Sequence, residues 1–530
     1  MTAPLERDVV VVGAGFGGLY ALHRLREAGW RVLVLERGDD VGGTWYWNRY
    51  PGARCDVESV DYSYSFSAGL EQDWQWTERY AAQPEILRYL EHVAERFDLR
   101  RDIRFSSTVE DARFSGWHWT VRTEDGLTVR ARYLVMASGN LSEPRDPDIP
   151  GLAEFSGQLL HTARWPRDGV DLTGRRVGVI GTGSSGTQAI PLLAKQAAHL
   201  TVFQRTPTFS LPAVNQPLDP AALAELKRTY PERRRRARYS RNGQLRAWGE
   251  KSALEVTADE REKEYEQRWQ AGGGGFIGAF RDLLDDERAN ETAADFVRGK
   301  IADIVADPDT AAALQPRGYP IGAKRVTVDT GYYATYNRAN VSLVDLRANP
   351  ISLIEQRGVR TGRGLHELDT LVLATGFDAM TGAVLAVDIR GTGPTLREKW
   401  HAGPRTLLGV MTAGFPNLFL VTGPGSPSVL SNMVVSIEQH VDWITDLLRH
   451  AAETGRPVVE ADVAAEDAWV EHVNELSART LFPRGNSWYL GANVPGKPRV
   501  FMPYVGGVGT YRQHCERVAA DGYPGFRFAS

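Results

Sequence analysis

Two hexapeptides in this chain have glycine at their first, third and sixth places: Gly13-Ala14-Gly15-Phe16-Gly17-Gly18 and Gly181-Thr182-Gly183-Ser184-Ser185-Gly186. That spacing lets backbone N–H groups close on a pyrophosphate at the start of a helix, an approach that side chains would obstruct. About 20 residues beyond each turn, the position that meets the nucleotide ribose differs in sign: Glu36 after the first, Arg205 followed by Thr206 after the second. A carboxylate accepts from ribose hydroxyls and repels a phosphate, whereas a guanidinium beside a hydroxyl accommodates a 2′-phosphate. The first turn therefore suits FAD and the second NADPH. The expected contacts are Gly13, Gly15, Phe16, Gly18 and Glu36 for FAD, and Thr182, Gly183, Ser184, Ser185, Gly186, Gln188, Arg205 and Thr206 for NADP.

Such turns work only when a strand delivers them and a helix leaves them, and both contexts are present. Val9 to Val12 is a continuous apolar run, Leu19, Leu22 and Leu25 follow at helical spacing, and Arg31 to Leu35 forms the strand ending at Glu36. Arg176 to Ile180, a helix from Thr187 onward, and a strand over Leu200 to Phe203 repeat the arrangement. Tyr133 to Ala137 and Leu371 to Ala374 are buried strands ending in small-residue turns that return the chain from one unit to the other. The predicted fold class is α/β, with two Rossmann-like dinucleotide-binding domains, each discontinuous in sequence. The expected FAD-binding domain comprises 1–140 and 381–530, and the NADP-binding domain 141–217 and 323–380. A helical insertion over 218–322 is expected to attach to the latter.

Within the insertion, Thr257 and Glu260 form a capping box, and Glu264 and Arg268 stand one turn apart. Arg233 to Arg236, with Arg238 and Arg241 beyond, reads as a solvated helix face compensated by acids of the flanking helices. With 530 residues, 42 % hydrophobic and 24 % charged, the chain has apolar surface for several cores. A net charge of −4 gives no field for nucleic acid or an anionic membrane. The charge-free stretch from Thr406 to Ile437 is interrupted by Pro416, Pro424 and Pro427 and reads as buried strands and a tight loop rather than a membrane span. Two cysteines, Cys55 and Cys515, leave no redox pair four or five residues apart, which excludes a dithiol reductase. They also fit a reducing compartment, and the charged N-terminal stretch before Val9 is no signal peptide, so a cytoplasmic location is expected. The 11 histidines show no metal-ligand spacing, and no metal is expected.

The most specific pattern lies just before the second unit: Phe155, Gly157, His161, Trp165 and Pro166 fit FxGxxxHxxxWP at every fixed position. On these residues the chain resembles the type I Baeyer–Villiger monooxygenases across nearly its whole length. The resemblance extends to Gly42 through Asp56, which fits GGxWxxxxYPGxxxD. In Trp45 to Asp56, Gly423 to Met433 and Asn486 to Asn493 the chain most resembles the branch containing the phenylacetone and steroid monooxygenases. The relatives that oxygenate nitrogen and sulfur usually lack the Trp-Pro pair, and heteroatom oxygenation is the alternative function. A non-catalytic FAD-containing redox sensor would give Asp56 and Arg325 no reason to meet.

The resemblance implies an NADPH- and O₂-dependent conversion of ketones to esters or lactones through a flavin C4a-peroxide, in a protein taken by default as a monomer. A fixed cation keeps such a peroxide anionic and stabilises the adduct, the logic of an oxyanion hole. Arg325, in Gly322-Ala323-Lys324-Arg325, matches the family segment that supplies it, Asp56 is its orienting carboxylate, and Lys324 joins Arg205 at the 2′-phosphate. Further FAD contacts implied are Thr44, Trp45, Tyr46, Trp47, Asp56, Val57, Tyr62, Val109 and Met433. Arg54, Arg325 and Trp488 are implied for NADP, and Leu141, Ser428, Val429, Leu430, Met433 and Trp488 for the ketone. His161 is expected to hydrogen-bond between the domains and position NADP rather than to act as a base.

Overall fold

The computed structural model describes residues 3–530, and two sheets, one mixed and one parallel, organise it. In the first, Leu5–Val12 is hydrogen-bonded in parallel to Val32–Leu35 on one side and Thr128–Met136 on the other. Val9, Val10 and Val11 are buried because covered faces on both sides of the sheet demand an unbroken apolar run. The sheet continues through Ile103–Arg104 on one flank, and through the antiparallel strands His118–Thr123 and Val109–Ser115 to Asp388–Arg390 on the other. Leu418–Leu420 pairs with the end of Thr128–Met136, so a segment nearly 300 residues later completes the sheet.

The second sheet is wholly parallel, in the order Val341–Asp345, His199–Gln204, Arg176–Ile180, Thr370–Leu373, Gln158–His161. In each sheet the strand beside the one that feeds the glycine turn also shapes that turn. Gly13 has φ +103° and a Cβ there would stand 2.6 Å from the Ala137 carbonyl oxygen; Gly181 has φ +109° and would meet the Ala374 oxygen at 2.4 Å. Helices Phe16–Glu27 and Ser184–Gln196 start directly from these turns. The α/β double-nucleotide architecture expected from the sequence is the one observed.

Three readings need correction. The insertion does not attach to the second unit alone. Tyr265, Phe276, Phe280 and Phe296 do join the core of the second sheet, but Leu223 and Tyr230, on helices Pro220–Arg228 and Tyr230–Arg238, join the core of the first. Nor is the arginine run a solvated face. Arg233 grips Asp61 with two hydrogen bonds of 2.7 Å, and Arg234, 6 % exposed, bonds Glu71 at 2.8 Å and Ser63 at 2.7 Å. The compensating acids come from the first unit, some 160 residues earlier, where sequence proximity gives no hint of them. Of Arg233 to Arg236, only Arg235 and Arg236 face solvent. Finally, Thr406 to Ile437 is largely buried but holds one short strand, Leu418–Leu420, and then enters helix Met433–Glu453. Asn432 caps that helix through its side-chain oxygen, and the helix lies against Phe16–Glu27. No helix among the described residues is long and apolar enough to cross a membrane.

Candidate active site

Glu36 stands at the end of Val32–Leu35, 5 % exposed. One carboxylate oxygen accepts the Ala14 N–H and the other the Gly38 N–H, each at 2.6 Å. Burial pushes this carboxyl up while the two N–H groups favour its anion. Gly15 faces Gly43 so closely that a Cβ on Gly15 would lie 3.3 Å from the Gly43 Cα, which explains glycine at both. Thr44, Trp45, Tyr46 and Trp47 form one helical turn beyond it. Trp45 Nε1 donates to the Tyr62 hydroxyl at 3.2 Å, the Tyr62 ring meets Phe16 edge-on at 5.1 Å, and Tyr46 donates to Asp39 at 2.6 Å. Arg37 lies over Trp47, Val57 is buried beside Asp56, and Val109 is buried in the same core cluster as Leu35.

At the second turn the glycines divide their work. A Cβ on Gly186 would strike the Gly181 carbonyl oxygen at 2.3 Å, but one on Gly183 would meet no atom within 4 Å. Packing therefore requires Gly181 and Gly186, and the open space at Gly183 fits a dinucleotide phosphate approaching the helix N-terminus. Thr182 turns inward and donates to the Thr206 carbonyl at 3.1 Å, while Ser184 and Ser185 begin the helix. Gln188 ties the two units together, accepting from the Tyr50 hydroxyl at 2.8 Å and donating to the Arg54 carbonyl at 3.0 Å. Arg54 itself is engaged by Glu78 and the Tyr80 carbonyl. Arg205 and Lys324 make no ion pair among the described residues. Lys324 lies over the Tyr319 ring, and burial, then the Arg205 charge, pushes its ammonium down. Cations arranged against each other in this way fit a phosphate between them.

Between the units, Arg325 closes on Asp56 as a fork. Nε and Nη2 donate to the two carboxylate oxygens at 2.9 and 2.6 Å, and Nη1 donates to the Val429 carbonyl at 2.9 Å. The side chains keep 32 % and 22 % exposure, so the pair borders open space. Burial alone would push the Asp56 carboxyl up, but the Arg325 charge and hydrogen bonds outweigh it and hold the carboxyl below its usual range. Asp56 in turn raises the guanidinium against its burial.

Beside the fork is an apolar cluster. Leu141, Val429, Leu430, Met433 and Trp488 pack with Ala379, Met380, Tyr489, Phe501 and Met502, and Met433 also touches the core of the first unit. Ser428 holds φ +47° with its hydroxyl accepting from Asn140 at 3.0 Å, inside the wall of the cluster. Tyr489 and Asn140 escaped notice in the sequence, although each adjoins a residue that did not, Trp488 and Leu141.

None of the fingerprint residues hydrogen-bonds to the fork. Phe155 and Trp165 are core residues, Gly157 leaves room for the Asp369 carbonyl, and Pro166 follows Trp165 out of the core. His161 is buried, which pushes its imidazole down, and its Nδ1 accepts the Ala163 N–H at 3.0 Å.

Residues 10–279 match the family described as pyridine nucleotide-disulphide oxidoreductase. Cys55 and Cys515 are both free and buried. Among curated proteins, a Baeyer–Villiger monooxygenase of Pseudooceanicola batsensis is 44 % identical over 98 % of this chain and 96 % of its own length. A phenazine N-monooxygenase of Lysobacter antibioticus is also 44 % identical, over 98 % and 96 %. Among solved structures, an oxidised steroid monooxygenase bound to NADP superposes with a TM-score of 0.95 at 54 % identity, covering 99 % of each chain.

Proposed function

The chain belongs to the Baeyer–Villiger monooxygenases, and from that premise we propose that it uses NADPH and O₂ to convert a ketone into an ester or lactone. FAD is assigned to the turn at Gly13 to Gly18 and NADP to the turn at Gly181 to Gly186. When bound, the two cofactors supply the redox chemistry: hydride from the nicotinamide, and a reduced flavin that takes up O₂.

The observation that carries this reading is the Arg325–Asp56 fork beside the apolar cluster. A guanidinium has five N–H groups, and three are taken by Asp56 and Val429. The other two remain to meet negative charge on a substrate oxygen. Asp56 fixes the plane of the fork, so no reorganisation is needed when that charge develops, and the apolar surroundings strengthen the attraction. Oxygen transfer to a soft heteroatom requires no such stabilised oxyanion, so the ketone reading is favoured over the heteroatom one. Val429, Leu430, Met433, Leu141 and Trp488 supply the apolar wall that excludes water from a ketone.

We assign the domains as 1–140 with 381–530, 141–217 with 323–380, and the insertion 218–322. The free buried cysteines suit a reducing cytoplasm, and we take the working unit as a monomer. The decisive experiment is Arg325→Ala. NADPH should still reduce the flavin, while ester formation falls by the ~3 kcal/mol typical of losing such a stabiliser, on the order of 100-fold. Ester formed at near the parental rate would refute the role.

A further inference from the structure

The loop from Pro427 to Asn432 gives Val429 and Leu430 to the apolar cluster, and its Val429 carbonyl accepts from Arg325. Its backbone starts as a series of tight turns. The Leu430 N–H donates to the Pro427 carbonyl at 3.1 Å, and the Ser431 N–H to the Ser428 carbonyl at 3.0 Å. The next bond of that series would run from the Asn432 N–H to the Val429 carbonyl. The Asn432 N–H instead donates to the Asn242 carbonyl of the insertion at 2.8 Å, and Arg325 Nη1 takes the Val429 oxygen at 2.9 Å.

Asn432 is fully buried and reaches three parts of the molecule. Its Nδ2 donates to the Asp61 carbonyl of the first unit at 2.6 Å, its Oδ1 accepts the Val434 N–H at 3.2 Å to cap the next helix, and its N–H goes to the insertion. Asp61 is also the carboxylate that Arg233 grips from the insertion. Gly243 stands against Asn432 at φ +73°, where a Cβ would lie 3.2 Å from the Asn432 Cβ and 3.3 Å from the Val435 Cβ. This close approach of the insertion needs glycine. At the other end of the loop, Ser428 accepts from Asn140 and holds φ +47°, a conformation that serine keeps only where its surroundings impose it. Both ends of the loop are therefore fixed, and Val429 lies between them.

We propose that Asn432 is a positioning residue for the fork, acting through Val429. By holding the Asn432 N–H on the Asn242 carbonyl, the insertion draws a competing donor away from the Val429 oxygen and leaves that oxygen to Arg325. The guanidinium is then oriented from two sides, by Asp56 and by Val429, before substrate arrives. The insertion thereby takes part in the geometry of the fork through one backbone carbonyl. The proposal rests on the reading of the fork as the group that meets negative charge on the substrate oxygen.

The test combines crystal structures of the FAD-loaded protein with turnover of phenylacetone as the probe ketone. Asn432→Ser keeps a helix cap and removes the bond to Asp61. Gly243→Ala pushes the insertion off Asn432 and leaves every side chain of the loop as it is, so it carries the same readout where Asn432→Ser does not fold. Both should place the Val429 carbonyl beyond about 3.5 Å from Arg325. Ester formation at saturating ketone should fall about tenfold, the contribution of one hydrogen bond to a charged group, with the ketone KM and flavin reduction by NADPH within about twofold. In an Arg325→Ala background, Asn432→Ser should cost less than about twofold more, since its effect runs through the arginine. A Val429 to Arg325 bond intact in both variants overturns the proposal, as does its loss with turnover unchanged, or a further loss of about tenfold in the Arg325→Ala background. A parent that oxidises NADPH without forming ester would count against the proposed activity, while the structures would still decide whether Asn432 places Val429.

Discussion

Arg205 shows how much one side chain can decide. It occupies the place that Glu36 holds in the first unit, its charge reaches Lys324, and it makes no ion pair among the described residues. Arg205→Ala should weaken NADPH by roughly 1.5–3 kcal/mol and spare NADH, read from the two affinities during flavin reduction. An unchanged preference would contradict the role. Asp56 predicts a pH dependence. Its folded pKa lies below the ordinary value, so the pair contributes its full stability from about pH 4 upward and loses it as pH falls through the lowered folded value. Thermal unfolding across acid pH should therefore show a loss of stability in the parent that is missing in Asp56→Asn. The glycines, Glu36 and Arg205 are legible in sequence because their neighbours are local. Arg325 is not: its partner lies 269 residues away, and only the likeness of short segments points to it.

At the scale of the element, the two glycine turns separate folding from binding. Gly181 is demanded by the strand beside it and Gly186 by the Gly181 carbonyl, whereas Gly183 has φ in the ordinary range and empty space where a Cβ would go. Gly183→Ala should leave the melting temperature of the FAD-loaded protein near the parental value, since the lower chain entropy of the unfolded state offsets alanine's poorer fit than glycine at this N-cap. NADP⁺ affinity should fall, because the methyl group stands where phosphate approaches. A large loss of stability would show that packing needs this glycine too. The strands and helices around both turns follow from apolar periodicity. The helix at Met433 does not, because the chain before it is equally apolar and charge-free, and only the Asn432 cap marks the change.

Across the whole molecule, the insertion bridges both units. Its aromatic cluster belongs to the second core, while Arg233 and Arg234 fasten its early helices to Asp61 and Glu71 of the first. Arg234→Ala leaves Glu71 buried without its partner and should cost about 3–5 kcal/mol, read as a lowered unfolding midpoint. A change below about 0.5 kcal/mol, as on an exposed face, would show the run to be solvated after all. The interleaving of the first sheet also bears on biosynthesis. The end of Thr128–Met136 lacks one neighbour until Leu418–Leu420 has been made, and at about 5–20 residues per second the ribosome takes some 15 to 55 s to reach it. During that interval an apolar strand edge is open to wrong partners. The nascent chain thus has a window of aggregation risk that the finished enzyme has closed, and yields on expression should depend more on elongation rate and chaperone supply than on the stability of the folded state.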